Sequence, residues 1–116
     1  MFRTLLLAGA AIAIAGAAQA RELKAVGVTV GSLGNPYFIA VGKGITDAAH
    51  QANPQAKVTV SSADYDLNKQ FTQIDNFIAA GVDLIVVNAA DPRAIAPAIK
   101  RAQAAGITVV GRAIQF

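Results

Sequence analysis

Short runs of β-branched residues alternate with longer segments of helical periodicity from residue 24 onward, and this alternation restricts the fold more than any other feature. The predicted strands cover residues 24–30, 57–62, 82–88 and 107–110. The predicted helices between them cover residues 36–51, 67–80 and 93–105. A regular succession of strand and helix is typical of units that build a parallel sheet. The sequence therefore predicts a three-layer α/β fold of the Rossmann or flavodoxin type, with one core.

The third predicted strand and the helices show which side chains should be buried. Residues 84–87 are all apolar, as expected of a strand with helices on both sides, so this strand should be central. Gly81 and Gly106 follow two of the helices and predict left-handed helix ends. Each helix carries an apolar stripe at spacings of three and four. The stripes are Phe38, Val41, Ile45, Ala48 and Ala52; Leu67, Phe71, Ile74 and Ile78; and Ile95, Ile99 and Ala102.

The first twenty residues have the pattern of a secretory signal peptide. Arg3 precedes an apolar stretch over residues 5–18, and Ala18-Gln19-Ala20 closes it. We expect cleavage after Ala20 and export of residues 21–116 to the periplasm. A membrane anchor is the weaker alternative, because a spanning helix needs ~20 apolar residues. The chain has no cysteine to acylate, so the exported product should not be embedded in a membrane.

Charge and composition exclude several classes of function. The net charge is +3, and removal of Arg3 with the signal lowers it by one; the basic residues are scattered, which disfavours a nucleic-acid partner. The absence of cysteine excludes thiolate metal sites and cysteine nucleophiles. His50 is the only histidine and lies far along the first helix, so we expect a surface residue. These patterns predict a binding protein without a cofactor and not an enzyme.

Ligands of parallel sheets bind beyond the carboxyl ends of the strands, which selects the loops at residues 31–37, 63–66 and 88–93. A sugar presents hydroxyl groups and an apolar C–H face, so its site needs amide or carboxylate groups beside aromatic rings. The three loops supply that mixture. The second loop contains Asp64, Tyr65 and Asp66. The candidate ligand-binding residues are Asn35, Tyr37, Phe38, Asp64 and Asp91.

Several of these residues also have a purely structural interpretation. Asn35-Pro36 and Asp91-Pro92 are helix-start signals, in which the first residue caps the helix and proline occupies its first turn. Asp66 is similarly placed to cap the second helix. Phe38 falls on an apolar stripe and fits a core position, whereas Tyr37 lies off that stripe.

A nucleotide-binding enzyme fragment of the flavodoxin or Rossmann type is the first alternative function. Its phosphate loop is not evident, because the early glycines do not make G-x-G-x-x-G and residues 42–44 lack the rest of a P-loop. The effector domain of a sugar-responsive regulator is a second alternative. It would need a basic helix-turn-helix before the first strand, where the export signal lies.

Three segments together resemble a known family. They are Gly34-Asn35-Pro36-Tyr37-Phe38, residues 64–70 with Asp75, and residues 81–92, which end in Asn88-Ala89-Ala90-Asp91-Pro92. These segments are similar to the ribose- and galactose-binding type of periplasmic binding protein, the substrate-binding component of ABC transporters. The resemblance implies two lobes around a sugar, presented when closed to a permease driven by an ATPase. It implies that Asn35, Tyr37 and Phe38 contact the sugar. Asp91, on the third loop, is a further candidate contact.

The resemblance also has two departures. Relatives carry an Asp or Asn after the fourth strand, whereas this chain has Gly111 and Arg112, and the register of Arg112 does not fit. Residues 21–116 correspond to an incomplete first lobe, so we expect a truncated form without the second lobe. The uncovered last strand predicts self-association. We also expect calorimetry against a panel of sugars to show no binding, since half a cleft does not enclose a ligand.

Overall fold

Strands and helices alternate along residues 22–112, which are the residues that this computed structural model describes. The predicted signal peptide and its cleavage site lie outside them. The elements are β1 (Ala25–Val30), α1 (Pro36–Ala52), β2 (Lys57–Ser62), α2 (Leu67–Ala80), β3 (Leu84–Asn88), α3 (Ala96–Ala104) and β4 (Thr108–Arg112).

The four strands form one parallel sheet in the order β2-β1-β3-β4. Val28 of β1 lies between Val60 of β2 and Val86 of β3, and Val86 is paired in turn with Val110 of β4. Strand β3 is therefore flanked on both sides, which confirms its predicted central position. The α/β class with a parallel sheet is also as predicted.

The helices cover the two faces of the sheet. Successive side chains of a strand point to opposite faces, so Val26, Val28 and Val30 of β1 pack with α1, where Phe38 and Ala49 are buried. On the other face, Ile85 and Val87 of β3 pack with α2 and α3. The buried residues from those two helices include Ile74, Phe77, Ala98 and Ala102.

The buried stripe of α1 differs from the predicted one. Ala48 and Ala52 are exposed, whereas Gly42 and Ala49 are buried with Phe38. A Cβ at Gly42 would lie 3.1 Å from Cγ1 of Val60, so this glycine allows the helix to approach β2 closely. The buried residues of α1 are therefore those at which the helix lies closest to the sheet, and they are not the ones with the largest side chains.

The buried stripe of α2 also differs. Gln70, Ile74 and Phe77 are buried, whereas Phe71 is only half-buried. Phe77 was not predicted as a core residue, and its ring occupies the space beside Gly27, where a Cβ would lie 2.5 Å from the ring. Because Gly27 has no side chain, the Phe77 ring can pack directly against β1 at this position.

Most predicted helix ends are confirmed. Helix α2 has its predicted bounds, and Asp66 caps it by accepting hydrogen bonds from the N–H groups of Asn68 and Lys69 at 2.9 and 3.2 Å. Gly81 and Gly106 have φ values of 69° and 83°, in the left-handed region that glycine adopts readily.

Helix α3 begins at Ala96, so the predicted start at residue 93 was wrong. Pro97 has no N–H to donate to the carbonyl of Arg93, and its ring crowds that carbonyl, which interrupts the helical ladder. Residues 92–95 form a separate turn instead, in which the N–H of Ile95 donates to the carbonyl of Asp91 at 3.0 Å.

The last two strands begin later than predicted. Strand β3 starts at Leu84, and the carboxylate of the preceding Asp83 accepts hydrogen bonds from the N–H groups of Lys24 and Ala25 at 2.8 and 2.9 Å. Strand β4 extends to Arg112 through its pairing with Asn88. Within residues 22–112, no helix has the length and apolar character needed to cross a membrane.

Candidate functional site

Three loops leave the sheet side by side at the carboxyl ends of β1, β2 and β3. Val30 pairs with Ser62, and Thr29 pairs with Val87, so these strands end at the same level. The first two loops are joined directly, because the N–H of Leu33 donates to the hydroxyl of Ser62 at 3.0 Å. This edge is where a parallel sheet places a ligand site, and it carries every predicted site residue.

Aromatic rings from the first two loops meet at this edge. Phe38 is 5% exposed, so its predicted core position is confirmed, whereas Tyr37 is 51% exposed. The Tyr37 ring packs edge-on against Phe38 with centroids 5.1 Å apart. Tyr65 packs against the same ring at 6.4 Å and is 64% exposed. The result is an aromatic surface of two exposed rings supported by a buried one.

Gly31 leaves room for this aromatic surface. A Cβ at Gly31 would lie 2.9 Å from two ring atoms of Phe38 and 3.1 Å from the ring of Tyr65. Its carbonyl accepts a hydrogen bond from the N–H of Tyr65 at 2.9 Å. The chain can therefore pass directly beneath both rings only with glycine at this position.

Asn35 caps helix α1 beside the aromatic surface. Its side-chain oxygen accepts a hydrogen bond from the N–H of Tyr37 at 3.0 Å, and its backbone carbonyl accepts from Phe38 and Ile39. The capping interpretation is thus confirmed. Asn35 is exposed, and the cap uses only the oxygen of its side chain, so the amide NH2 group is available to donate to a bound hydroxyl.

Asp64 is held in the second loop by its neighbours. Its carboxylate accepts a hydrogen bond from the hydroxyl of Ser62 at 2.6 Å and forms an ion pair with Lys69. The hydrogen bonds from Lys69 and Ser62 lower the pKa of Asp64 from its ordinary value. The side chain remains 56% exposed. Asp64 therefore presents a fixed, charged acceptor at the site edge.

Asp91 caps the turn that precedes α3. Its Oδ1 accepts hydrogen bonds from the N–H groups of Arg93 and Ala94, both at 3.0 Å. These two hydrogen bonds lower the pKa of Asp91 from its ordinary value, and the bond from Ala94 has the larger effect. The hydrogen bonds of its carboxylate lie within the third loop, so the structure does not join Asp91 directly to the aromatic surface.

A buried glutamine ties the third loop to the rest of the site. Gln70 is fully buried, and its amide donates to the hydroxyl of Thr29 at 3.1 Å and to the carbonyl of Asn88 at 2.9 Å. Its oxygen accepts from the N–H of Ala90 at 2.9 Å. One side chain of α2 thus binds β1 and both ends of residues 88–90.

The same network reaches the end of β2. Thr29 donates to the side-chain oxygen of Gln73 at 2.7 Å, and the amide of Gln73 donates to the carbonyl of Ser62 at 2.8 Å. The ends of β1, β2 and β3 are therefore held in one hydrogen-bonded arrangement. Every buried side-chain nitrogen and oxygen in residues 22–112 has a hydrogen-bond partner.

Sequence reasoning missed Gln70 and did not select Tyr65. Gln70 lies four residues before Ile74 and seven before Phe77, so these three residues share one face of α2. A stripe placed on that face would have identified Gln70 as a buried polar residue. Tyr65 was visible beside Asp64, but nothing local indicated that its ring would meet Phe38. That contact depends on β1 and β2 being neighbours in the sheet.

Two other features of the described residues do not resemble this site. A cleft of about 440 Å³ lies at the opposite edge of the sheet, where Gly81, Asp83 and Gly106 line it, and Asp83 there bonds the backbone of β1. His50 lies within 3.0 Å of the carbonyl of Ala56. Within residues 22–112, no group of three or more His, Cys, Asp or Glu side chains is arranged to hold a metal ion.

A parallel sheet whose carboxyl-edge loops carry aromatic and polar side chains is typical of an α/β ligand-binding domain. Residues 26–111 match the family model of the periplasmic binding protein domain. The chain therefore belongs to this family of binding proteins.

Sequence and structure comparisons agree on this family. The ribose import binding protein of Bacillus subtilis is 35% identical over 85 residues, which cover 73% of this chain and 27% of the relative. A solute-binding protein from Bacillus halodurans with bound myo-inositol superimposes with a TM-score of 0.70 at 26% identity, covering 81% of this chain and 32% of its own.

A solute-binding protein from Actinobacillus succinogenes with bound D-allose gives the same TM-score and identity, with 80% and 32% covered. The fold assignment is thereby confirmed. The chain spans about a third or less of the length of these relatives.

Proposed function

We propose that this chain is the solute-binding component, or its first lobe, of an ABC-type importer for a monosaccharide or small saccharide. The observation that carries the proposal is the exposed Tyr37 ring supported by buried Phe38 at the carboxyl edge of the sheet. The named ligands of its relatives, ribose, myo-inositol and D-allose, support the same class.

Recognition would combine ring packing with hydrogen bonds. An aromatic ring packs well against the apolar C–H face of a sugar, and the neighbouring polar groups then satisfy its hydroxyls. In this proposal the NH2 group of Asn35 donates, and the carboxylates of Asp64 and Asp91 accept. Both aspartates are charged at neutral pH, as aspartates of ordinary pKa also are, and hydrogen bonds to a charged acceptor are the stronger ones.

The proposal extends to location and partners. Residues 1–20 would direct export to the periplasm and be removed after Ala20, so the mature chain would begin at Arg21. A permease and an ATPase would then take up the sugar from the loaded protein. Mass spectrometry of the periplasmic fraction tests the first step, and an intact Met1 in that fraction would contradict it.

Amide resonances of the isotope-labelled chain provide the direct test of sugar binding. We expect D-ribose, D-allose or myo-inositol at high concentration to shift signals in residues 31–38, 63–66 and 88–93. The shifts should be weak and concentration-dependent, because one lobe encloses little of a ligand. The variant Tyr37→Ala should lose most of the response while it keeps the fold.

The nucleotide alternative is tested in the same experiment. AMP and flavin mononucleotide should leave the spectrum unchanged, because the first loop lacks the glycine pattern that lets backbone N–H groups approach a phosphate. If a nucleotide shifts these loops and no sugar does, the sugar-binding proposal is wrong.

A further inference from the structure

Asp64 and Tyr65 lie in an unusual backbone conformation. Their φ values are 52° and 55°, and they are the non-glycine residues with positive φ among residues 22–112. Aspartate tolerates this left-handed region better than most residues, but a bulky side chain such as tyrosine rarely occupies it. Such strain persists only where the surroundings enforce it, and it is concentrated at functional sites.

Hydrogen bonds around the second loop enforce this conformation. The N–H of Tyr65 donates to the carbonyl of Gly31 at 2.9 Å, and the N–H of Asp66 donates to the carbonyl of Ala63 at 2.9 Å. The side chain of Asp64 is held by Ser62 and Lys69. The loop is thus fixed at both strained positions.

The strained loop directs the Tyr65 ring to the site and not into the core. The ring meets Phe38 edge-on at 6.4 Å with an interplanar angle of 65°, while 64% of the residue stays exposed. The backbone bond to Gly31 does not require a side chain, and glycine would adopt the same φ without strain. The backbone conformation of the turn therefore does not require a tyrosine.

We propose that Tyr65 contacts the ligand directly and favours ring-shaped sugars and cyclitols over open-chain polyols. This inference rests on the proposed function. Tyr37 and Tyr65 are two exposed rings on one buried ring, so they offer an apolar surface to the C–H face of a closed ring. A short open-chain polyol has no such face and gains little from the second tyrosine.

The chain carries a built-in fluorescent probe for this test. It has two tyrosines and no tryptophan, so tyrosine emission reports only on positions 37 and 65. In the variant Tyr37→Phe, Tyr65 is the remaining tyrosine. We expect myo-inositol and D-allose to change its emission in a saturable way, and glycerol at equal concentration to have little effect.

A matched pair of variants separates ligand contact from folding. Tyr65→Gly removes the ring and relieves the backbone strain, and because this relief offsets the lost contact with Phe38, its unfolding midpoint in urea should stay close to that of the parent chain. Its affinity for D-allose, measured by the amide shifts, should fall by about two- to tenfold, the range of one aromatic contact. Tyr65→Phe keeps the ring and should retain most of the affinity.

The outcomes distinguish this inference from the proposed function. If sugars shift the signals of Asn35 and Tyr37 while Tyr65→Gly binds as tightly as the parent chain, the inference is wrong and the proposed function stands. A loss of stability in Tyr65→Gly with unchanged affinity would also overturn it. If no sugar changes the emission or any amide signal of the three loops, both the proposed function and the inference are wrong.

Discussion

Replacement of Gln70 by leucine would remove the side chain that joins β1 to the end of β3 at the site. Gln70 is fully buried, and it makes three hydrogen bonds to Thr29, Asn88 and Ala90. Leucine has a similar volume, so the change leaves little cavity. Thr29 keeps its bond to Gln73. The main effect is therefore on the carbonyl of Asn88 and the N–H of Ala90, which lose their partner.

The expected cost follows from these two backbone groups. A buried donor or acceptor left without a partner costs about 1–3 kcal/mol. Part of that cost disappears as the third loop relaxes toward water, so we expect a net loss of about 2–4 kcal/mol for two groups. This is a large share of the roughly 5–15 kcal/mol by which a native domain is stable.

Urea unfolding followed by circular dichroism measures the loss. The control is Gln51→Leu, an exposed position on α1, where the change should stay within about 0.5 kcal/mol. Hydrogen exchange gives a local readout, because the N–H of Ala90 should lose its protection in Gln70→Leu. If Gln70→Leu is as stable as the control, or if the amide of Ala90 stays protected, the network does not hold the loop as described.

Three further predictions concern glycine packing, charge and the sheet edge. Gly27→Ala should destabilise the chain by about 1–3 kcal/mol because its Cβ would overlap the Phe77 ring. A Cβ at Gly44 in helix α1 would meet no neighbour within 4 Å, so Gly44→Ala should stabilise the chain by about 0.5–1 kcal/mol. If both glycine variants changed the free energy of unfolding in the same direction, the described packing of Gly27 would be contradicted. Because the folded-state pKa of Asp91 is lowered, its contribution to stability is present above the ordinary pKa and is lost as the pH falls through the lowered value. Unfolding of Asp91→Asn across acidic pH should therefore show a shallower decline, and an unchanged decline would count against the capping bonds. Val110 on β4 is 52% exposed, so we expect the parent chain to self-associate in size-exclusion chromatography and Val110→Lys to do so less; a parent chain that stays monomeric at all concentrations would refute that.

The order and bounds of the elements were largely predictable from sequence, because they depend on local patterns. Apolar residues that recur with a period of two indicate a strand, and those that recur with a period of 3.6 indicate a helix. Asp66 and Gly81 mark the ends of α2 through bonds and φ values set within one turn of the helix. The predicted start of α3 was wrong because the apolar periodicity continues through Pro97, whereas the ring of Pro97 interrupts the helix at the carbonyl of Arg93.

The candidate site was predictable only in part. Once a parallel sheet is predicted, its carboxyl edge selects the three loops, and the residue types in those loops indicate a sugar. The burial of Phe38 and the exposure of Tyr37 also follow from helical periodicity. The sequence did not reveal which side chains from different loops meet.

The amino-acid sequence by itself therefore determined the α/β class, the element order and the loops that carry the candidate residues. Only the tertiary structure placed Tyr65 against Phe38, Phe77 against Gly27 and Gln70 between the ends of the strands. The physical reason is the range of the interactions. Propensities and caps act over a few neighbouring residues, whereas these contacts join residues brought together by strand order and by how closely each helix approaches the sheet.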